Sequence, residues 1–132
     1  MRDERDVFHL AIPVHDLDEA RRFYVDQLGC HLARGYPDRI TLDFFGEQVV
    51  CHLSNEIVPE PALYPRHFGI TFRHREDFDR VLFLAQQREI RFFQDVKPRF
   101  EHLVEEHLTF VLQDPSNNLI EFKHYRDPRM MW

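Results

Sequence analysis

The pattern of apolar and polar residues predicts a strand, a helix and three more strands in the first part of the chain. Apolar residues dominate positions 7–14, and apolar positions at helical spacing follow over about residues 16–28. Asp16, with Glu19 three residues later, is typical of a helix start, and Gly29 of a helix end. Short apolar runs then predict strands over residues 30–34, 40–45 and 48–54.

The same order of elements is predicted again after a linker. Residues 55–65 contain three prolines and little apolar pattern. Beyond them the pattern predicts a strand over 66–73, a helix whose apolar positions fall between 78 and 85, and strands over 90–95, 108–113 and 119–125, with a polar loop over 97–106. An offset of 58 residues takes His9 to His67, Ile12 to Ile70 and Phe23 to Val81.

The sequence therefore predicts an α+β fold in a single domain built from two β-α-β-β-β modules. The first module covers about residues 7–54 and the second about residues 66–125, with a linker over 55–65 and a tail over 126–132. A chain of 132 residues with 43% hydrophobic residues and 13 Phe can fill one core, so we do not expect a disordered chain.

Charge and composition narrow the classes of partner and the compartment. The net charge is −6 and the basic residues are scattered, so we expect no nucleic-acid partner. We expect no membrane span and no signal peptide, because the apolar runs are short and residues 1–6 are mostly charged. Cys30 and Cys51 do not form a CxxC pair, so we expect reduced thiols in a cytoplasmic protein, with one structural disulfide as the alternative.

Glu121 is the first candidate for chemistry. It interrupts the apolar run Leu119-Ile120-Glu121-Phe122, and a buried carboxylate is costly unless it is paired or holds a metal. His9 and His67 each stand near the start of a predicted apolar strand. Two His and one carboxylate form the ligand set of a facial-triad metal site with open positions. The alternative is a hydrogen-bonded Glu–His pair in the core.

Together these features resemble the vicinal oxygen chelate superfamily, which includes glyoxalase I, extradiol dioxygenases, fosfomycin-resistance enzymes and bleomycin-binding proteins. The similarity is carried by the two modules, by a His on the first strand of each, and by the closing stretch DPSNNLIE at residues 114–121. Residues 8–16, 28–29 and 46–53 look like a small bacterial subgroup that is usually labelled dioxygenase-like.

The resemblance implies curved mixed sheets with the helices outside and a metal in the cleft between paired modules. By position it implies His9, His67 and Glu121 as the metal ligands. Family members pair modules within or between chains, so we expect a homodimer; the apolar end of the tail is a candidate contact. Whether one chain or two would supply the ligands of one site stays open.

The chain departs from glyoxalases at the fourth protein ligand, which is usually a Glu on the last strand of the first module. That strand has no Glu in its middle here, and His52 or Cys51 could take its place. If neither binds, three protein ligands remain, as in dioxygenases. We therefore expect a metal-dependent, dioxygenase-like oxidoreductase that binds a small oxygen-chelating substrate, with Fe(II) as the metal and Zn, Ni, Mn or Co as alternatives.

Two further residues are candidates for this site. His52 is a candidate catalytic acid or base, because its pKa can be tuned near neutrality, although a structural role is equally open. Arg99 is a candidate substrate-binding residue that would pair with an anionic group, or else a solvated loop residue. Alternative functions are a glyoxalase-like lyase or isomerase, a fosfomycin-resistance-like transferase, and a small-molecule-binding protein of the bleomycin-resistance kind.

Overall fold

Each half of the chain forms a four-stranded mixed sheet with one helix. The structure is a computed structural model that describes all 132 residues. The first half contains β1 (His9–Val14), α1 (Leu17–Arg21), which continues as a π-helical stretch (Arg22–Gln27), β2 (His31–Tyr36), β3 (Arg39–Phe44) and β4 (Glu47–Leu53). The second half contains β5 (Phe68–Thr71), α2 (Arg75–Gln87), β6 (Phe92–Arg99), β7 (His107–Gln113), β8 (Leu119–Tyr125) and a final 3₁₀ turn (Pro128–Met131). The predicted α+β class and the two β-α-β-β-β modules are confirmed.

The two sheets have the same topology. Their strand orders are β1-β4-β3-β2 and β5-β8-β7-β6, so the first strand of each module lies at an edge and runs parallel to the last strand. Pro13 is tolerated in β1 because an edge strand has one side without ladder hydrogen bonds. The curved sheets stay open, and residues 54–67 join them without a helix or strand. No helix has the length and apolar character that crossing a membrane requires.

The strand β6 is longer than the sequence predicted. It extends to Arg99, whereas the pattern predicted a strand end at residue 95 and a polar loop from residue 97. The pairing of β6 with β7 shifts register twice, between Phe92 and Gln94 and between Gln94 and Lys97. Each irregularity interrupts the alternation of apolar and polar residues while the strand itself continues, which explains why the pattern missed its second half.

The ends of the first helix follow from local capping. The Asp16 carboxylate accepts a hydrogen bond from the Glu19 amide at 2.9 Å, as an N-cap should. The Glu19 carboxylate lies 2.9 Å from His15 Nε2 instead of closing a capping box. Gly29 has φ +89°, the left-handed conformation that commonly ends a helix.

One hydrophobic core serves both modules. Its 20 buried residues come from both sheets and both helices. The ring of Phe44 in the first module lies 5.5 Å from the ring of Phe68 in the second, and Phe78, Phe110 and Phe122 are fully buried. The modules therefore share packing and do not form separate cores.

A buried carboxylate also ties the modules together. Asp114, which is 2% exposed, accepts hydrogen bonds from the Tyr24 hydroxyl at 2.7 Å and from the Ser116 amide and the Asn118 amide at 2.8 Å each. The Asn118 side chain donates to Asp114 at 2.8 Å and to the Pro13 carbonyl at 2.9 Å. Burial raises the pKa of Asp114, and these hydrogen bonds oppose that rise. We call residues 114–118 the Asp114 turn.

We predict that Tyr24→Phe destabilises the protein by about 1–3 kcal/mol, because it removes a donor from a buried carboxylate. Denaturant unfolding measures this difference. Tyr36→Phe is the matched control: Tyr36 is exposed, and its ring contact with Arg39 does not need the hydroxyl. Equal stability of Tyr24→Phe and wild type would contradict the role assigned to this hydrogen bond.

Candidate metal centre

Glu121 lies in the middle of β8 on the face of the second sheet that points away from the core. Its neighbours Ile120 and Phe122 are fully buried in the core, so the alternation of a strand turns Glu121 to the other side. It is nevertheless only 7% exposed. The basic nitrogens nearest to its Oε1 are His67 Nε2 at 3.8 Å and Lys123 Nζ at 3.7 Å, both beyond hydrogen-bond distance. The carboxylate is thus buried and weakly compensated.

His67 is oriented so that one ring nitrogen is available toward Glu121. Its Nδ1 lies 2.6 Å from the Leu63 carbonyl oxygen. A carbonyl only accepts, so Nδ1 carries a proton; in the neutral imidazole, which is the form that binds a metal, the lone pair is then on Nε2, the nitrogen that faces Glu121. The ring of Tyr64 stands edge-on 5.6 Å away. A His whose far nitrogen is held by a carbonyl is the usual arrangement of a metal-ligating imidazole.

A glycine allows β5 to lie against β8 at this position. Gly69 pairs with Glu121 in the parallel register. A Cβ on Gly69 would lie 1.7 Å from the backbone oxygen of Glu121, far inside van der Waals contact. Any larger residue would therefore push β5, and His67 just before it, away from Glu121.

His9 lies on the other sheet, at the start of the edge strand β1. Its Nδ1 lies 2.5 Å from Gln48 Oε1, which only accepts, so in the neutral imidazole the lone pair is again on Nε2. The ring is exposed. No three His, Cys, Asp or Glu side chains of a single chain come together closely enough to hold a metal. The structure brings His67 and Glu121 together and leaves His9 apart from them.

The register identifies the counterpart of Glu121 in the first module. Gly69 pairs with Glu121, and the offset of 58 residues takes Gly69 back to Ala11, whose partner in β4 is Val50. Val50 has no ligating atom. Cys51 faces the core with no exposure, and burial raises its pKa to about 12, so it is a protonated thiol at neutral pH.

His52 lies on the same side of the first sheet as His9 but farther along. It pairs with Pro13 and Arg39 and is exposed. Because Gln48 pairs with His9, His52 is four residues beyond that row, or about 13 Å along the strand. This separation places it away from His9.

Arg99 ends β6, on the row that contains His107 and Tyr125 of the second sheet. Its guanidinium donates a hydrogen bond to the Tyr64 hydroxyl at 3.2 Å, and the Tyr64 ring contacts His67. Arg99 is therefore connected to His67 through one aromatic side chain.

Four residues of this region were not recognised from the sequence: Gln48, Gly69, Lys123, and Thr109, which pairs with Lys123 across β7 and β8. The position of Lys123 was available, since it lies two residues after Glu121 and alternation puts both on one face. The other three depend on which strand lies beside which, and the sequence pattern does not specify that.

Comparison with known proteins identifies the class. The family model of the Glyoxalase/Bleomycin resistance protein/Dioxygenase superfamily matches residues 6–122. No curated protein sequence matches significantly. A crystal structure of a glyoxalase/bleomycin resistance protein/dioxygenase from Alicyclobacillus acidocaldarius is 64% identical, with a TM-score of 0.97 and 100% of each chain covered.

More distant structures share the fold. The fosfomycin resistance protein FosX from Listeria monocytogenes has a TM-score of 0.74 at 13% identity, covering 96% of this chain and 98% of that chain. Lactoylglutathione lyase from Agrobacterium tumefaciens has a TM-score of 0.68 at 16% identity, covering 90% and 92%.

The two-module fold and these matches define a protein of the vicinal oxygen chelate type, a group that generally uses divalent metal ions and includes many enzymes. The chain belongs to the Glyoxalase/Bleomycin resistance protein/Dioxygenase superfamily. The resemblance deduced from the sequence is confirmed.

We predict that Gly69→Ala destabilises the protein by about 1–3 kcal/mol, because the added methyl group overlaps the Glu121 backbone. Thermal unfolding measures the loss. Gly35→Ala in β2 is the matched control: nothing lies within 4 Å of its Cβ position, so we expect a change within about 0.5 kcal/mol. A Gly69→Ala protein as stable as Gly35→Ala would rule out the close approach of β5 and β8.

Proposed function

We propose that the protein is a metal-dependent enzyme that binds a small oxygen-chelating substrate at a centre formed by His9, His67 and Glu121. We propose Fe(II) as the metal and a reaction of the extradiol dioxygenase type. The observation that carries the proposal is the geometry around Glu121: a 7% exposed carboxylate faces Nε2 of His67, whose Nδ1 is held by the Leu63 carbonyl.

The residues fit a divalent cation on physical grounds. A cation beside Glu121 would compensate the buried charge that His67 and Lys123 approach only at 3.7–3.8 Å. Two imidazole nitrogens and one carboxylate with open positions suit non-haem Fe(II). The same donors also accept Zn, Ni, Mn or Co, so the donor set favours iron without excluding the others.

We propose that two copies of the chain complete each centre. β1 and β5 are both edge strands, and His9 and His67 lie at their starts. Unpaired edges favour a second chain, and Val7 and Phe8 beside His9 expose about half of their surface. A twofold-symmetric dimer would bring His9 of one copy to His67 and Glu121 of the other, twice.

Residues of the chain and the bound metal would then have different roles toward the substrate. When bound, the metal supplies Lewis-acid chemistry, polarising vicinal oxygens of the substrate and stabilising the negative charge that develops on them. Val50 at the counterpart of Glu121 provides no fourth ligand, which leaves positions for a bidentate substrate. In this proposal Arg99 binds an anionic group of the substrate. His52, about 13 Å along the sheet from the His9 row, moves a proton on a part of the substrate that extends beyond the metal ligands.

A redox-inert metal at the same donors would instead suit a lyase, isomerase or transferase. Reconstitution with Fe(II) under anaerobic conditions, followed by admission of O₂ with a panel of catechols and other vicinal oxygen compounds, separates the two. Oxygen consumption that depends on a panel compound supports the dioxygenase. Turnover with Zn(II) and without oxygen consumption supports the alternatives. A binding protein of the bleomycin-resistance kind is disfavoured, because those members lack the three ligands.

We predict that Ala at His9, His67 or Glu121 abolishes stoichiometric metal binding while the fold is kept. Metal analysis after reconstitution measures this, with circular dichroism to check folding. His31→Ala replaces an exposed His of β2 and should retain the metal. Full metal in Glu121→Ala would exclude the assignment.

Co-expression of the His9→Ala and Glu121→Ala chains tests whether two copies share a centre. A mixed dimer holds one intact centre and one without either residue, so metal should recover to about a quarter of wild type in a random mixture. No recovery would mean that each chain builds its own centre. Light scattering at micromolar concentration should give the dimer mass; a monomer would also refute the shared centre.

We predict that His52→Ala retains the metal and lowers turnover about 10²–10⁴-fold, because a proton-transfer group is lost while the ligands stay. Metal content and turnover with the active panel compound are measured separately. His74→Ala is the control, since His74 is exposed and its side chain makes no cap hydrogen bond. Loss of metal in His52→Ala would assign His52 as a ligand and favour the lyase or isomerase.

A further inference from the structure

The only two lysines of the chain flank one buried threonine. The sequence has 17 Lys and Arg, of which only Lys97 and Lys123 are lysine. Thr109 in β7 pairs with Lys97 in β6 on one side and with Lys123 in β8 on the other. Direct partners in antiparallel strands lie on the same face, so the three side chains form one row across the second sheet.

The hydroxyl of Thr109 lacks a partner. Thr109 is 0% exposed and its Oγ1 makes no hydrogen bond. A buried hydroxyl without a partner costs free energy, and it is available to donate to a group that enters the row.

The row lies next to the proposed metal centre. Glu121 precedes Lys123 by two residues in β8 and is on the same face, and the Lys123 ammonium lies 3.7 Å from Glu121 Oε1. Arg99 lies two residues beyond Lys97 in β6, on the far side of the row. This face of the second sheet thus carries the Glu121 carboxylate and, beside it, the lysine and arginine side chains and the unpaired Thr109 hydroxyl.

The charge balance of the row depends on Glu121. Its carboxylate is the only ion-pair partner of Lys123, and Lys97 makes no ion pair. A divalent cation bound by Glu121 would take up that negative charge and leave the Lys123 ammonium facing another cation. Two uncompensated ammonium groups and a hydroxyl donor favour an anion.

We infer that Lys97, Thr109 and Lys123 bind an oxyanion group of the substrate, such as a phosphate, phosphonate or carboxylate, beside the metal centre. The inference rests on the proposed function and extends it by assigning the substrate's chemical class: an oxygen chelator that also carries an anionic group. The Thr109 hydroxyl donates one hydrogen bond to the anion, and the ammonium groups supply charge-assisted ones.

The test uses a variant that frees Lys123 without a metal. In metal-free Glu121→Gln, the competing charge is gone, and calorimetry with inorganic phosphate and with acetate should detect binding. Adding Lys123→Gln, Lys97→Gln or Thr109→Val should each weaken it by about 10-fold or more, because each removes a hydrogen bond to a charged group. Adding Arg21→Gln, an exposed arginine on α1, is the charge-matched control and should change nothing.

The outcomes separate the inference from the proposed function. Lysine-dependent binding of either anion supports the inference, and the tighter anion distinguishes a phosphate or phosphonate from a carboxylate. No binding, or binding that the lysine substitutions leave unchanged, overturns it. If Thr109→Val does not fold, the exposed Lys97→Gln variant decides. Metal analysis of wild type is independent: phosphate binding without metal binding refutes the proposed centre alone, and metal binding without phosphate binding refutes this inference alone.

Discussion

The buried carboxylate of Asp114 is the interaction on which the relation of the two modules depends. It accepts a hydrogen bond from Tyr24 of the first module and organises the turn that starts β8. Asn118 of that turn also holds the end of β1 through the Pro13 carbonyl. Since Glu121 follows three residues later, the position of the central acidic group is set from the first module as well as the second. The sequence motif at the start of β8 thus has a structural reason apart from any chemistry.

The repeat of strand and helix patterns was predictable because one face of each element is buried in a shared core. The full length of β6 was not, because two register shifts break its alternation. His67 and Glu121 could be paired from their positions in the second module. Their separation from His9 could not be predicted, because it depends on how the two modules pack against each other. The pattern of apolar and polar residues does not determine that packing.

The two modules are similar in backbone and different in what they offer to a ligand. Gly69 and Glu121 in the second module correspond to Ala11 and Val50 in the first. Only the second pair combines an acidic side chain with an unusually close approach of the strands. The repeat therefore provides the same backbone scaffold twice, and the different residues at these two positions make the two halves chemically unequal.

The two cysteines illustrate how burial controls reactivity. Neither forms a disulfide, and burial raises the pKa of Cys30 and of Cys51 to about 12. At neutral pH almost no thiolate exists in the folded chain, so oxidants and alkylating reagents find no nucleophile there. Unfolding exposes the sulfur to solvent and at the same time returns the thiol pKa to its ordinary value. The rate of thiol alkylation in the native protein consequently reports the fraction of molecules whose core is open, as long as the core recloses faster than the reagent reacts.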